Sequence, residues 1–378
     1  MISWRRTKAI AHKECLHVLR DVRSLLLALV LPFFLLVLFG YALTLDVDRI
    51  ATVVYDNDRT PQSRELIERL RGSRYFRIVA VADDYRQIER WLDGGACLMA
   101  VVIPQEYGRW LLAGADSEIQ ILLDGSDSNT AGIALGYATA LLTAYDGDIR
   151  AAAMARQGTV GKTAPIEGHL RVWYNPELRA RNYIVPGLIA LIMMIIGALI
   201  TSLTIAREYE MGTMEQLLST PVRPVELVLG KIVPYFVIGL VDMATAVLVG
   251  TLMFGVPLRG NPLVLFGSSA VFMVGVLSVG LFISAATRSQ TIAFQLGILT
   301  SFLPAFLLSG FVYSIQNMPV VIQAVTYLVP ARYFIVLLKG VFLKGSGIRL
   351  LWIEGLMLIA FAALMFRAAV GKVKGKLA

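Results

Sequence analysis

Long uncharged apolar runs, separated by short polar segments, dominate this chain. They predict membrane-spanning helices, because about 20 residues of helix cross a hydrocarbon core. Four runs are long enough alone: Leu25 to Leu45, Tyr183 to Ala206, Ile232 to Val256 with one acid inside, and Pro262 to Thr287. From Ser289 to Ala331 there are 43 residues without a charge, too many for one span and marginal for two, punctuated by Pro304, Gly310, Pro319 and Pro330. That run predicts a fifth span to about Tyr313, followed by a re-entrant or interfacial segment over residues 314–331. A sixth span is expected from Leu350 to Phe366, bounded by Arg349 and Arg367.

The pattern changes between the first two spans. Over residues 46–182, short β-branched runs alternate with charged amphipathic stretches, which predicts an inserted α/β domain. The expected strands are Ala51 to Tyr55, Phe76 to Val81, Leu98 to Ile103 and Glu118 to Leu123; the expected helices are Gln62 to Arg71, Tyr85 to Leu92 and Thr130 to Arg156. Thr60 and Pro61 suit the cap and first turn of the first helix. Ahead of the first span, residues 1–24 mix Trp4, Ile10, Ala11, Val18, Leu19 and Val22 with six Lys and Arg, the composition of a helix lying in a membrane interface. The first apolar run lacks a small-residue cleavage site and is expected to be a retained anchor.

Composition and charge sharpen this outline. With 57% hydrophobic and 16% charged residues, an ordinary soluble enzyme and a disordered chain are both excluded. The net charge of +8 is unevenly spread, since residues 46–182 carry 16 basic and 19 acidic groups against 19 and 8 elsewhere. Positive charge therefore sits beside the apolar runs, where it sets topology and meets anionic lipid; nothing points to nucleic acid. Counting short flanks only, an inward N-terminus puts fourteen Lys and Arg inside and five outside. The expected topology has both termini cytoplasmic and the 137-residue domain extracytoplasmic. Cys15 and Cys97 then lie on opposite sides of the bilayer and cannot pair.

Enzymatic motifs are weak. Gly158-Thr159-Val160-Gly161-Lys162-Thr163 looks like a phosphate loop, but Arg156 stands where the leading glycine is required and the preceding segment is helical in pattern. His12, His17 and His169 have no metal-ligand spacing, and no nucleophile elbow occurs. Catalytic, cofactor-binding and metal-binding residues are therefore expected to be absent.

The most informative stretch is residues 207–231, between spans two and three, which keeps four acids on a side where basic residues prevail. Thr213 is the expected cap of a short helix there, with Glu215 and Gln216 in its first turn and Pro221 as its stop. Acids retained against an anionic leaflet suit a protein partner, although a solvated connector has the same composition. The set Glu208, Glu210, Gly212-Thr213, Glu215-Gln216-Leu217, Thr220-Pro221, Glu226-Leu227 and Gly230-Lys231 resembles the intracellular segment of type-2 ABC transporter permeases. Asn175-Pro176, Tyr183, Pro186-Gly187, Leu308-Ser309-Gly310, Met318-Pro319, Pro330, Tyr333 and Leu343-Lys344-Gly345 are similar to that family as well. The large domain between spans one and two resembles its multidrug-exporter-like branch.

The resemblance implies a six-span permease of a bacterial inner membrane. It implies partnership with a second permease, as homodimer or heterodimer, and with a dimer of cytosolic ATPases that hold ATP and Mg. A periplasmic adaptor and membrane lipid complete the implied partners. Residues 208–221 become the ATPase-coupling element, and the substrate would be drugs or other small amphipathic compounds, with lipid or polysaccharide as the rival cargo. A receptor with an outer sensing domain is a competing class, but no output module is encoded.

Asp242, near the middle of span three, costs at least about 2.5 kcal/mol at that depth unless something offsets it. A substrate path, a helix–helix pair and a protonated spectator are all open. Glu354 is expected to snorkel near Arg349, Trp4, Trp173 and Trp352 to anchor at interfaces, and Gly187, Gly197 and Gly239 to be ordinary membrane-helix glycines, since no small-residue packing face stands out.

Overall fold

The computed structural model describes residues 3–42, 49–115, 117–126, 128–156, 174–175, 179–347 and 349–377. The phosphate-loop look-alike at residues 158–163, His169 and Trp173 lie outside that set. The chain divides into two compact units, one of Met1–Thr44 with Arg171–Ala378 and one of Leu45–Leu170.

The chain opens with α1 (Trp4–Arg20) and α2 (Val22–Ala42), separated at Asp21. Thr7, Ile10, Glu14 and Val18 form the buried face of α1, and that face packs on a later membrane helix. The exposed side of α1 is the mostly polar and basic one, with Trp4, Leu16 and Leu19 interspersed.

The inserted unit is the expected α/β domain. Its elements are β1 (Ile50–Asp56), α3 (Pro61–Gly72), β2 (Phe76–Ala82), α4 (Tyr85–Asp93), β3 (Met99–Ile103), α5 (Tyr107–Leu112), β4 (Gln120–Leu123) and α6 (Ser128–Arg156). Sheet order is β2-β1-β3-β4, with β1 parallel to β2 and β3, and β4 antiparallel to β3. Strand alternation separates two cores. Ile50, Val54, Met99, Val101 and Ile103 face α3 and α6, while Val53, Ala100 and Val102 face Ile88 of α4. Thr60 caps α3, accepting from the Ser63 amide at 3.3 Å with Pro61 in the first turn. Cys97 is a free, buried thiol, and burial together with the Asp124 carboxylate pushes its pKa up. Among the described residues of this unit, only the six-residue α5 escaped the sequence pattern, being too short for a period.

The other unit is a helix bundle. It continues as α7 (Ala180–Ser202), α8 (Thr204–Glu210), α9 (Thr213–Leu218), α10 (Pro224–Leu248), α11 (Pro262–Thr287), α12 (Gln290–Leu308), α13 (Val320–Thr326), α14 (Pro330–Lys339) and α15 (Trp352–Leu377). Among the described residues, five helical stretches are long and apolar enough to cross a membrane, or six if the bent pair α13 and α14 is one span. The first expected span falls on α2, whose apolar stretch Ala28–Ala42 is shorter than those five. Helix α7 is the centre: every residue from Ile184 to Met194 is buried, against α2, α10, α11, α12 and α14. Helices α10, α12 and α15 leave outer faces of Val, Ile, Leu and Phe exposed, as hydrocarbon-facing helices do.

Several expected boundaries move. The inserted domain was expected to run to Asn182, but Ala180 to Asn182 already belong to α7. Span three begins at Pro224, eight residues early, because Pro224 sits in the first turn and Glu226 accepts the Arg223 amide at 3.1 Å. The segment expected to be re-entrant or interfacial does not stop at Ala331. Helices α13 and α14 meet at 80°, and the arm continues to Lys344 with Phe334, Ile335, Leu337 and Leu338 buried. Arg332, Lys339 and Lys344, counted in a loop from sequence, are therefore helical. The helix that carries span six, α15, runs on past Phe366 to Leu377. Glu354 forms no pair with Arg349 among the described residues, and its Oε2 is buried without a hydrogen bond.

The break between α7 and α8 is held from outside. Amides released at a helix interruption need acceptors, and Ser284 Oγ of α11 accepts from Ile205 N at 3.0 Å and Ala206 N at 2.9 Å. Removing that hydroxyl in Ser284→Ala is expected to cost about 1–3 kcal/mol by leaving buried amides unpaired, read as a lower melting temperature of the purified protein. An unchanged melting temperature would contradict the assignment.

Candidate functional site

The α8 end of the bundle concentrates its charge. Helix α8 prolongs α7, so Glu208 and Glu210 project from the end of a long rod rather than from a loop. Lys231 of α10 is 1% exposed and lies 2.6 Å from Glu14 of α1 and 3.1 Å from Glu208 of α8. Glu208 also receives Lys13 at 3.0 Å. Two ammonium groups thus face two carboxylates, an electrically neutral set joining three helices. Beside it, Arg207 reaches Asp21 at 3.4 Å and the His17 ring at 3.0 Å. Glu210 accepts the Gln290 amide at 2.7 Å, tying α8 to α12. Glu226 accepts Arg6 and the Ser3 amide, both at 2.8 Å, which fixes the start of α1 to the start of α10.

The Gly230-Lys231 pair acquires a physical reason here. A Cβ on Gly230 would sit 2.6 Å from Ile10 Cγ2 and 3.2 Å from the Thr7 carbonyl, so only glycine lets α1 lie close enough for Glu14 to meet Lys231. Sequence spacing singled out the motif without showing its partner, because the contact spans more than 200 positions.

The expected coupling residues divide. Glu208 is buried and bonded internally, so it supports the rod and offers no surface to another chain. Gly212, at φ 70°, takes the cap position assigned to Thr213, because the chain must turn through the left-handed region before α9 starts. Thr213 is the first helical residue and donates to the Glu208 carbonyl at 3.3 Å. Met214 is buried, while Met211, Glu215, Gln216, Thr220 and Pro221 are exposed. Leu217 is half-buried against the bundle core, and Arg6 donates to the Pro221 carbonyl at 2.6 Å. What emerges is a short exposed knuckle, residues 211–221, clamped at both ends by the charge cluster.

A cavity of about 480 Å³ opens beside this cluster, walled by Lys13, His17, Arg207 and Glu208 at its polar end and by Leu199, Tyr235 and Phe294 deeper in. Deeper still, a narrow crevice between α2, α7, α10 and α11 shares Ile196, Ile200, Tyr235 and Ile238 with the cavity and leads to Asp242. Asp242 is half-buried in that wall and forms no hydrogen bond or ion pair among the described residues. The helix–helix pair left open by the sequence is thus not formed within this chain's described part. No cluster able to hold a metal occurs among those residues.

At the opposite end of α7, the Tyr183 hydroxyl donates to the Gly310 and Phe311 carbonyls at 2.9 and 3.1 Å, and Lys339 stands 3.3 Å from its ring centroid. The Tyr183, Gly310 and Tyr333 motifs brace the bent α13–α14 arm, the Tyr333 hydroxyl donating to the Tyr327 carbonyl at 2.9 Å. The three glycines expected to be ordinary are all contact points. A Cβ on Gly187 would meet Phe311 at 2.2 Å, on Gly197 Val276 at 3.0 Å, and on Gly239 Met273 at 2.1 Å.

Comparison with known proteins bears on this architecture. The model of the ABC-2 family transporter protein matches residues 23–370. The chain is 37% identical over 369 residues to the probable multidrug ABC transporter permease YbhS of Escherichia coli strain K12, covering 97% of this chain and 96% of that one. It is 30% identical to the probable multidrug ABC transporter permease YbhR of the same strain over 92% of both chains. With the inner membrane transport permease YhhJ of that strain it shares 28% over 292 residues, 75% of this chain and 74% of the relative.

Proposed function

The chain belongs to the ABC-2 family of transporter proteins, and from that premise we propose that it is the membrane subunit of an ATP-driven exporter in a bacterial inner membrane. Its termini and the knuckle at residues 211–221 face the cytoplasm, and the inserted α/β domain is extracytoplasmic. The knuckle docks a separate ATPase, which binds ATP and Mg. Two permease chains form the working unit, and the names of the YbhS and YbhR relatives favour small amphipathic drugs as cargo over lipid or polysaccharide.

One observation carries this proposal. An exposed turn with Met211 at 68% exposure and Glu215 at its tip is fastened by buried ion pairs to the rod α7–α8, which is also the wall of the cavity. A push on such a knuckle is transmitted to α7 and α10 as a rigid displacement, because the linkages are charge-assisted and buried. Alternating access needs that kind of mechanical continuity between docking surface and transport path.

Glu215 and Glu210 are exposed and can be altered without burying a charge. Glu215→Lys, alone or with Glu210→Lys, is expected to lower the amount of ATPase co-purified from the native host about tenfold, equivalent to about 1.4 kcal/mol of docking energy. ATP-dependent efflux should fall in parallel while permease abundance in the membrane stays constant. Wild-type co-purification by the double variant would refute the docking surface.

A further inference from the structure

We propose that Asp242 is the membrane-depth counter-ion of a binding site for lipophilic monovalent cations, reached from the charged cavity through the throat formed by Tyr235 and Ile238. The inference rests on the transport reading only for what happens to the cation afterwards.

The charges along the path give the first argument. Every other acid that lines the cavity has a cation of its own: Glu14 has Lys231, Glu208 has Lys231 and Lys13, and Asp21 has Arg207. The cavity mouth is therefore close to neutral and does not repel a cation. Asp242 alone among the acids lining these two spaces has no partner among the described residues. A carboxylate half-buried among Leu29, Phe33, Ile192 and Met193 has lost part of its water without compensation. A ligand carrying one positive charge supplies what the protein leaves out, and a neutral or anionic ligand does not.

Geometry gives the second. Asp242 follows Ile238 by one helical turn and Tyr235 by two, so it stands about 10 Å deeper along α10 than Tyr235 at about 1.5 Å per residue. Tyr235 and Ile238 line both the cavity and the crevice, which makes them the junction between the two. The cavity, about 480 Å³, has the capacity of a drug-sized pocket, whereas the crevice at Asp242 holds about 30 Å³, so the body of the cation sits in the cavity and the carboxylate stands behind the throat. Its deeper walls are Leu199, Ile200, Tyr235, Ile238 and Phe294, apolar and aromatic surface that suits a cation whose charge is buried in hydrocarbon. A strongly hydrated ion such as sodium gains nothing from those walls, so the class is the delocalised or shielded organic monocation.

The test uses the full-length permease in lipid nanodiscs, with radiolabelled tetraphenylphosphonium as the probe and tetraphenylborate as an anion of the same shape. Wild-type protein is expected to bind the phosphonium saturably. Asp242→Asn should weaken it at least about tenfold, Asp242→Glu should stay within about threefold of wild type, and tetraphenylborate should not be weakened by Asp242→Asn. Ile238→Trp, which plugs the throat and leaves the carboxylate intact, is expected to lose the phosphonium as well; this variant keeps the proposal testable should Asp242→Asn fail to fold. Equal affinity of wild type and Asp242→Asn, or absence of saturable binding by wild type, overturns the site. ATP-driven efflux of any other compound by the assembled complex would in that case leave the transport reading standing, whereas Asp242-dependent binding without any efflux would sink the transport reading and keep the site.

Discussion

Lys231→Ala is expected to be the most damaging single substitution at the inner cluster, lowering stability by about 3–5 kcal/mol. Lys231 is 1% exposed and neutralises two carboxylates that come from different helices. Deleting the ammonium leaves Glu14 and Glu208 buried together with only Lys13, itself half in solvent, to balance them. The cost arises chiefly from the charges left behind, so it should be recoverable by removing those charges too. The triple substitution Lys231→Met, Glu14→Gln, Glu208→Gln is expected to restore most of the melting temperature while abolishing transport, because the cluster's mechanical linkage is gone although its electrostatic debt is cleared. Thermal unfolding of the purified variants, read by size-exclusion monodispersity after heating, separates the two effects. If Lys231→Ala melts with wild type, the cluster is not the clamp described above.

The same cluster shows what a linear chain discloses and what it withholds. Apolar run length depends on local composition, and it located α2, α7, α10, α11, α12 and α15 with errors only at their ends. Those errors share a cause: Glu226 and Lys231 look like loop residues because they are charged, yet each finds its counter-charge on α1 and so can enter a helix and be buried. Arg332 and Lys339 misled in the same way, one lying over the Tyr327 ring and the other over the Tyr183 ring. Strand alternation in the inserted domain placed all four strands within two residues at each end, since period-two burial on a two-sided sheet is written directly into the sequence. The knuckle was legible as a motif, but the burial of Glu208 was not, because nothing near it in sequence announces Lys231. Asp242 was legible as an anomaly and remains one, now with a cavity leading to it.

Helix contacts made by small residues were under-read, and the point where that matters most gives the second large prediction. A Cβ added to Gly280 of α11 would lie 2.0 Å from Thr201 Oγ1, 2.4 Å from the Ala198 carbonyl and 3.0 Å from the Ser202 amide. Gly280 and Ser284 are four apart, one small residue above the other on the face that meets Ala198, Thr201 and Ser202 of α7. This is the close-packing pattern by which helices associate where no hydrophobic drive separates protein from lipid. Even Gly280→Ala must force α7 and α11 apart, because two of the three atoms it meets, the Ala198 carbonyl and the Ser202 amide, are main-chain atoms that have nowhere to go. The shift would also draw Ser284 away from the Ile205 and Ala206 amides, loosening the joint from which α8 carries the inner cluster. Gly239→Ala makes an informative contrast, for its Cβ approaches Met273 Cε at 2.1 Å, the free end of a flexible side chain. Gly280→Ala is therefore expected to cost more than the roughly 1–3 kcal/mol usual for overpacking, with loss of transport, and Gly239→Ala less than about 1 kcal/mol with transport retained. Melting temperatures and efflux rates of the two variants side by side decide the matter: equal effects would mean that the separation of α7 and α11 is set elsewhere, and a benign Gly280→Ala would remove the joint at Ser284 from the path between docking surface and cavity.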